Sequence, residues 1–302
     1  MARRMRQQQS DHIAKASGFI AALDQSGGST PKALQQYGIN EADYTTPAEM
    51  FDLIHAMRAR IVQSAAFTTN HILGAILFEQ TMERRIGSLP SADYLWQNCN
   101  IVPFLKIDKG LLANANGVSM MAPIPALDAL LERAVAANIF GTKMRSVIKS
   151  ASASGIQAIV DQQFQLAQRI LNHGLTPMIE PEINITIADK FAAEALLLQA
   201  IQTQLDALPE TQRVMLKLTL PQTSNHYAPL IAHPRVLRVV ALSGGYNRQT
   251  ATQILGQNTG MIASFSRALT EGLSTRQSDA EFNKTLAQSI SEIYAASILK
   301  QA

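Results

Sequence analysis

The sequence predicts a (β/α)8 barrel, a closed ring of eight parallel strands with helices on its outer face, folded as one domain. Eight short runs rich in Val, Ile, Leu and Phe recur along the 302 residues, at 18–25, 71–79, 101–108, 140–147, 176–183, 214–220, 236–245 and 261–269. Stretches of helical period separate them. Near-continuous apolar strands alternating with helices indicate a parallel sheet covered by helices, and eight such units close a barrel. No Pro/Gly/Ser-rich linker, low-complexity tract or shift in charge density divides the chain, so residues 1–302 read as a single barrel domain with a short N-terminal lead-in and a C-terminal helix. A doubly wound open sheet shares the local pattern, but no GxGxxG follows the first run.

The elements follow in order. MARRMRQQQSDH carries Arg3, Arg4 and Arg6 with no apolar segment behind them, and reads as a solvated helical lead-in. Thr46-Pro47-Ala48-Glu49 is a capping box with Pro at the first helical position, and Met50, Ile54, Met57 and Ile61 then share one face. A second amphipathic helix spans 155–173 and is stopped by Gly174; a third spans 191–208, before Pro209. Residues 250–255 are helical. Ser278-Asp279-Ala280-Glu281 is a further capping box, opening a helix that runs nearly to Ala302.

Composition excludes several function classes. Lys plus Arg number 26 against 23 Asp plus Glu, a formal +3 without the clustered basic stripe of a nucleic-acid binder. With 47% hydrophobic and 16% charged residues the chain has material for a core and too little charge for a disordered protein. No apolar stretch approaches the roughly 20 residues of a membrane span. Cys99 is the one cysteine, which excludes an internal disulfide or CxxC site and fits a cytoplasmic protein. The six histidines show no metal-ligand spacing and no acidic cluster resembles a calcium loop, so no metal is expected.

In a barrel, ligand chemistry belongs at the carboxyl ends of the strands. Those ends here carry Asp24-Gln25-Ser26, Lys106-Ile107-Asp108-Lys109, Lys143-Met144-Arg145, Glu180-Pro181-Glu182, Lys217-Leu218-Thr219, Ser243-Gly244-Gly245 and Ser266-Arg267. Lys217, inside an apolar run, either snorkels from a strand edge or sits in a partly desolvated pocket where a neutral amine becomes available as a nucleophile. Lys106, Lys143 and Arg145 would converge on the same mouth, and neighbouring positive charge favours that neutral amine. Glu180 and Glu182, two apart on a strand, share a face; they are suited to one general acid/base and one ion-pair partner, or form a plain salt-bridge pair at a strand end. Ser243-Gly244-Gly245 with Arg267 suits a phosphate, since glycines let backbone N–H groups approach an anion and an arginine adds a charge-assisted fork. Ser26 and Ser29, in SGGST after the first strand, are a second anion site or a flexible loop.

AALDQSGGST, ILGAILFEQTM, PFLKIDKG, GTKMRSV, MIEPEI, VMLKLTLP, ALSGGYNRQTA and SFSRALTEGL cover all eight predicted strands in order, and together they resemble the class I, Schiff-base-forming fructose-bisphosphate aldolases of the shorter bacterial type. The resemblance implies a barrel of the TIM type, a lyase of glycolysis and gluconeogenesis, no metal, a homo-oligomer, and reversible cleavage of fructose 1,6-bisphosphate to dihydroxyacetone phosphate and glyceraldehyde 3-phosphate. It implies Lys217 as the Schiff-base lysine, Glu180 as general acid/base supported by Glu182, and Asp24 as the acid contacting substrate hydroxyl and lysine. Lys143 and Arg145 correspond to cations flanking the carbinolamine and Lys106 to a phosphate-side lysine. Ser243, Gly244, Gly245 and Arg267 resemble the ketose C1-phosphate site, with Ser26 and Ser29 for the other phosphate. Two departures stand out: Gln25 replaces the Glu of the animal enzymes, and no tail with a terminal tyrosine follows the last predicted helix, Tyr294 lying within it. A Schiff-base aldolase for another phosphorylated ketose, or a non-catalytic sugar-phosphate-binding barrel, remain alternatives at this point.

Overall fold

The computed structural model describes residues 2–26 and 28–300. Gly27, in the loop read as a second anion site, and Gln301 and Ala302, at the expected end of the last helix, lie outside the described residues.

Eight parallel strands follow one another around the ring: β1 (Phe19–Leu23), β2 (Ile72–Leu77), β3 (Val102–Lys106), β4 (Gly141–Ile148), β5 (Thr176–Ile183), β6 (Val214–Thr219), β7 (Val236–Leu242) and β8 (Ile262–Ala263). The Ala22 amide donates to the Phe265 carbonyl at 3.2 Å and joins the last strand to the first. Around them run α1 (Ala2–Lys15), α2 (Thr30–Gln36), α3 (Pro47–Gln63), α4 (Leu127–Ala136), α5 (Ala153–Asn172), α6 (Lys190–Asp206), α7 (Arg248–Gly256), α8 (Arg267–Thr270) and α9 (Asp279–Ile298).

The capping boxes form as the sequence requires. Thr46 Oγ1 accepts from the Glu49 amide at 3.2 Å while the Glu49 carboxylate accepts from the Thr46 amide at 3.1 Å, and Ser278 with Glu281 opens α9 in the same way. Helix α4, absent from the elements expected above, buries Leu127, Leu130, Leu131 and Ala134 at helical spacing.

Two expectations change. The run at 261–269 yields a strand of only two residues, because Ser266 turns into the helical region (φ −103°, ψ −75°) and Arg267 opens α8 instead of closing a strand. The N-terminal lead-in is not merely solvated. Ile13 of α1 is 0% exposed within the barrel-interior cluster, and Arg238 donates to the carbonyls of Ala14 (3.2 Å) and Ala16 (2.5 Å), fastening the end of α1 beneath the strands.

The interior packs by layers. Ile20, Phe104, Met178, Met215, Val240 and Ile262 belong to that inner cluster. Phe104 dictates two glycines: a Cβ at Gly74 would lie 2.9 Å from its Cε2, and one at Gly141 would lie 3.0 Å from its Cδ1 and 2.3 Å from the Thr176 carbonyl oxygen.

Candidate active site

The two-residue alternation of a strand decides which side chains reach the mouth. Two positions beyond the packed Ala22, Phe104, Met178 and Met215 come Asp24, Lys106, Glu180 and Lys217; Glu182 follows Glu180, and β4 adds Lys143 and Arg145 by the same period. All of them line one cavity of about 450 Å³. Ser243, Gly244, Arg267, Ser26 and Ser29 share its wall. Gly245 does not line it; a Cβ there would stand 3.5 Å from the Arg267 guanidinium, behind the loop. Gly244 has φ +60° and no room for a Cβ, which would meet Ile185 at 2.7 Å, so the turn after β7 requires glycine.

Lys143 is the hub. Its Nζ lies 2.6 Å from Asp24 Oδ2 and 3.0 Å from Glu180 Oε2, and Lys217 Nζ lies 3.1 Å from Glu180 Oε1. Lys143 is 3% exposed, Glu180 3% and Lys217 4%. Burial alone would raise the Asp24 and Glu180 carboxyls, but the ammoniums of Lys143 and Lys217 more than reverse it and hold both below their ordinary values. Burial opposes the charge on Lys143, and the carboxylates of Asp24 and Glu180 outweigh it, so Lys143 is raised and stays an ammonium.

The remaining charges are also paired. Lys106 donates to Asp108 Oδ1 at 2.6 Å and to its carbonyl at 2.9 Å, and Arg145 Nε donates to Glu182. Four cations thus face four carboxylates, as buried charge demands. The convergence foreseen for Lys106, Lys143 and Arg145 occurs, but each is paired with a carboxylate, and Lys217 itself pairs with Glu180. Arg267 and Lys32 are the exposed cations on the wall.

Helices set these groups in place. Gln163 of α5, 0% exposed, accepts from the Glu180 amide at 2.9 Å and donates to Ser146 Oγ at 3.1 Å. On β5 the regular pairing with β6 covers only Met178 and Ile179; beyond Pro181 the Thr219 hydroxyl takes over, accepting from the Ile183 amide at 2.8 Å. The two strands are therefore tied on either side of the Glu180–Lys217 contact.

Comparisons with known proteins show the family. The model of the family described as fructose-bisphosphate aldolase class-I matches residues 6–223. A protein of Clostridium acetobutylicum named fructose-bisphosphate aldolase class 1 is 57% identical over 294 residues, covering 97% of this chain and all of the relative. The chain belongs to the class I fructose-bisphosphate aldolase family. Relatives of the same name from Synechocystis, at 57% identity over 97% of both chains, and Porphyromonas gingivalis, at 54% over 97% of this chain and all of the relative, agree. Among solved structures, a fructose-bisphosphate aldolase from Plasmodium falciparum superposes with a TM-score of 0.72 at 20% identity over 100% of this chain and 96% of that one, a likeness of fold.

Several residues in and around this cavity escaped the sequence reading. Asp108 was within reach of it, since it continues the alternation Phe104, Lys106, Asp108 two residues past the end of β3. Arg58 sits on the apolar face of α3 with Ile54 and Ile61, where a charge is itself the signal. Gln163 gives no signal, because its partners are set by packing alone. No helix among the described residues is long and apolar enough to cross a membrane.

Proposed function

We propose that the protein cleaves fructose 1,6-bisphosphate reversibly to dihydroxyacetone phosphate and glyceraldehyde 3-phosphate through a Schiff base on Lys217, without a metal. The observation that supports this is the linked set Lys217–Glu180–Lys143–Asp24 in one cavity. A binding protein has no need of a buried lysine held against a carboxylate. In this reading Lys217 Nζ adds to the ketose C2 carbonyl, and water leaves to give the protonated imine, with Glu180 shuttling the protons and Lys143 stabilising the departing oxygen. Asp24 holds the C4 hydroxyl. Its proton passes to Glu180, the C3–C4 electron pair moves into the imine to form the enamine, and glyceraldehyde 3-phosphate departs. Glu180 returns a proton to C3 and water hydrolyses the imine.

Ser243, Gly244 and Arg267 hold the C1 phosphate, while Ser26 and Ser29, with Lys32 on the same wall, hold the other. Two anchors remote from the breaking bond orient it, an effect on the order of 7 kcal/mol or more. Lys106, already engaged by Asp108, meets a hydroxyl or phosphate oxygen from that fixed position. The chain works as one barrel domain within a homo-oligomer in the cytoplasm.

Cleavage assays with EDTA present, on wild type and Lys217→Met, test the reading together with borohydride quenching and mass analysis. Activity that survives the chelator, loss in the variant, and a substrate adduct on Lys217 are expected. An active variant, abolition by EDTA, or an adduct at another position refutes it.

A further inference from the structure

Arg58 is a buried charge that the proposed chemistry does not use. It lies on the inner face of α3, 1% exposed, and is not part of the cavity wall. All of its hydrogen bonds go to uncharged acceptors. Nη1 donates to Thr81 Oγ1 at 2.8 Å, and Nη2 donates to the Gln25 carbonyl at 2.5 Å and to Gln25 Oε1 at 3.2 Å, while Nε has no partner among the described residues. Burial pulls the guanidinium down to about 10, against the attraction of Asp24.

Desolvating a cation without a bound counter-ion is unfavourable, and an apolar side chain would pack this helix face at no such cost. The bonds show what the charge accomplishes instead. Gln25 follows Asp24, and the regular pairing of β1 with β2 ends at Leu23, so the Gln25 carbonyl lies beyond the ladder. Arg58 supplies its short donor, beside a longer bond from the Thr30 hydroxyl at 3.4 Å. The same Gln25 side chain then donates through Nε2 to Ser266 Oγ at 2.9 Å, and Ser266 precedes Arg267. A run of bonds Thr81–Arg58–Gln25–Ser266 thereby crosses from the turn after β2 to the turn after β8, with Thr81 and Arg58 behind the cavity and Gln25 and Ser266 on its wall.

We propose that Arg58 is a positioning residue: through Gln25 it fixes Asp24 against Lys143 and ties the end of the first strand to the Ser266–Arg267 turn. It touches no substrate. The inference rests on the proposed function, and it separates two consequences. The Gln25–Ser266 bond sets the phosphate-side arm and therefore KM; the Arg58–carbonyl bond sets Asp24 and therefore kcat.

Three variants test this: Arg58→Met, Arg58→Lys and Gln25→Met, with kcat and KM for fructose 1,6-bisphosphate, circular dichroism, and borohydride adduct formation measured on each. Gln25→Met keeps the donor to the carbonyl and should raise KM roughly tenfold with a much smaller fall in kcat. Arg58→Met should lower kcat as well, taking kcat/KM down roughly 10- to 100-fold, the scale of a displacement of about 1 Å at a reacting group. Arg58→Lys should recover part of kcat, because an ammonium can still donate to the carbonyl. A folded Arg58→Met with both constants within about twofold of wild type overturns the inference, as does the same kcat-to-KM pattern in Arg58→Met and Gln25→Met. If Arg58→Met does not fold, Arg58→Lys decides: kcat several-fold below wild type supports the role, and unchanged constants overturn it. Loss of the Lys217 adduct or of activity in the wild type would strike the proposed function, whereas an active, adduct-forming wild type with silent Arg58 variants strikes this inference alone.

Discussion

Replacing Lys143 with methionine removes the cation that separates two buried carboxylates. Its ammonium contacts Asp24 at 2.6 Å and Glu180 at 3.0 Å, with all three residues under a tenth exposed. Removing one member of a buried pair costs about 3–5 kcal/mol, and the loss of two contacts at once places the expectation at the upper end. In the wild type, Asp24 and Glu180 titrate below their ordinary values, so their contribution is complete above about pH 5 and is lost as pH falls through the lowered values. Lys143 is raised, so its contribution is complete below about pH 10 and is lost as pH rises through the folded value. Between pH 8 and 5 these groups leave wild-type stability flat. Without Lys143, burial dominates and a carboxyl rises above its unfolded value, so stability falls as pH rises through that window. Acidification from pH 7 to 5 then stabilises the variant by up to about 1.4 kcal/mol per pH unit for each proton taken up. Urea unfolding of both proteins at pH 7 and 5 measures this. A variant within about 1 kcal/mol of wild type at pH 7, with no gain at pH 5, would refute the reasoning. Its kcat should fall roughly 10²- to 10³-fold, as when one preorganised donor is removed from a reacting site.

Arg267→Ala should raise KM for fructose 1,6-bisphosphate about 10- to 100-fold, since a hydrogen bond to a charged group contributes roughly 1.5–3 kcal/mol; steady-state kinetics with KM unchanged would remove Arg267 from the phosphate site. Gly141→Ala forces a methyl to 2.3 Å from the Thr176 carbonyl and 3.0 Å from the Phe104 ring, and should destabilise by about 1–3 kcal/mol or more, read as a lowered urea midpoint. Thr46→Ala deletes the N-cap of α3 and should cost about 1 kcal/mol, visible in thermal unfolding with activity retained.

The strand positions were legible because apolar runs and helical period are local properties. Run 176–183 coincides with β5 to the residue, and the box at Thr46–Glu49 opens α3 as read. Run 261–269 misled, because the apolar Phe265, Ala268 and Leu269 are buried beyond the end of a strand that stops at Ala263. Apolarity reports burial, not extension. The terminal charges were legible for the same local reason: in a packed barrel, a polar residue two positions past an apolar one on the inner face can only belong to the mouth.

Within each strand, then, the sequence by itself determined the alternation that turns Asp24, Lys143, Glu180 and Lys217 toward one end of the ring. Only the tertiary structure decided who pairs with whom. Asp24 and Lys143 meet at 2.6 Å across more than a hundred residues of chain, and Lys143 sits opposite Met178, not Glu180, in the β4–β5 register. Such pairings depend on stagger and tilt around the closed ring, which arise when all eight strands pack together. The same holds for Arg58, whose partners come from the segment just past β1 and the turn after β2. A side chain's charge is written in the chain, but its counter-ion is chosen by the geometry of closure.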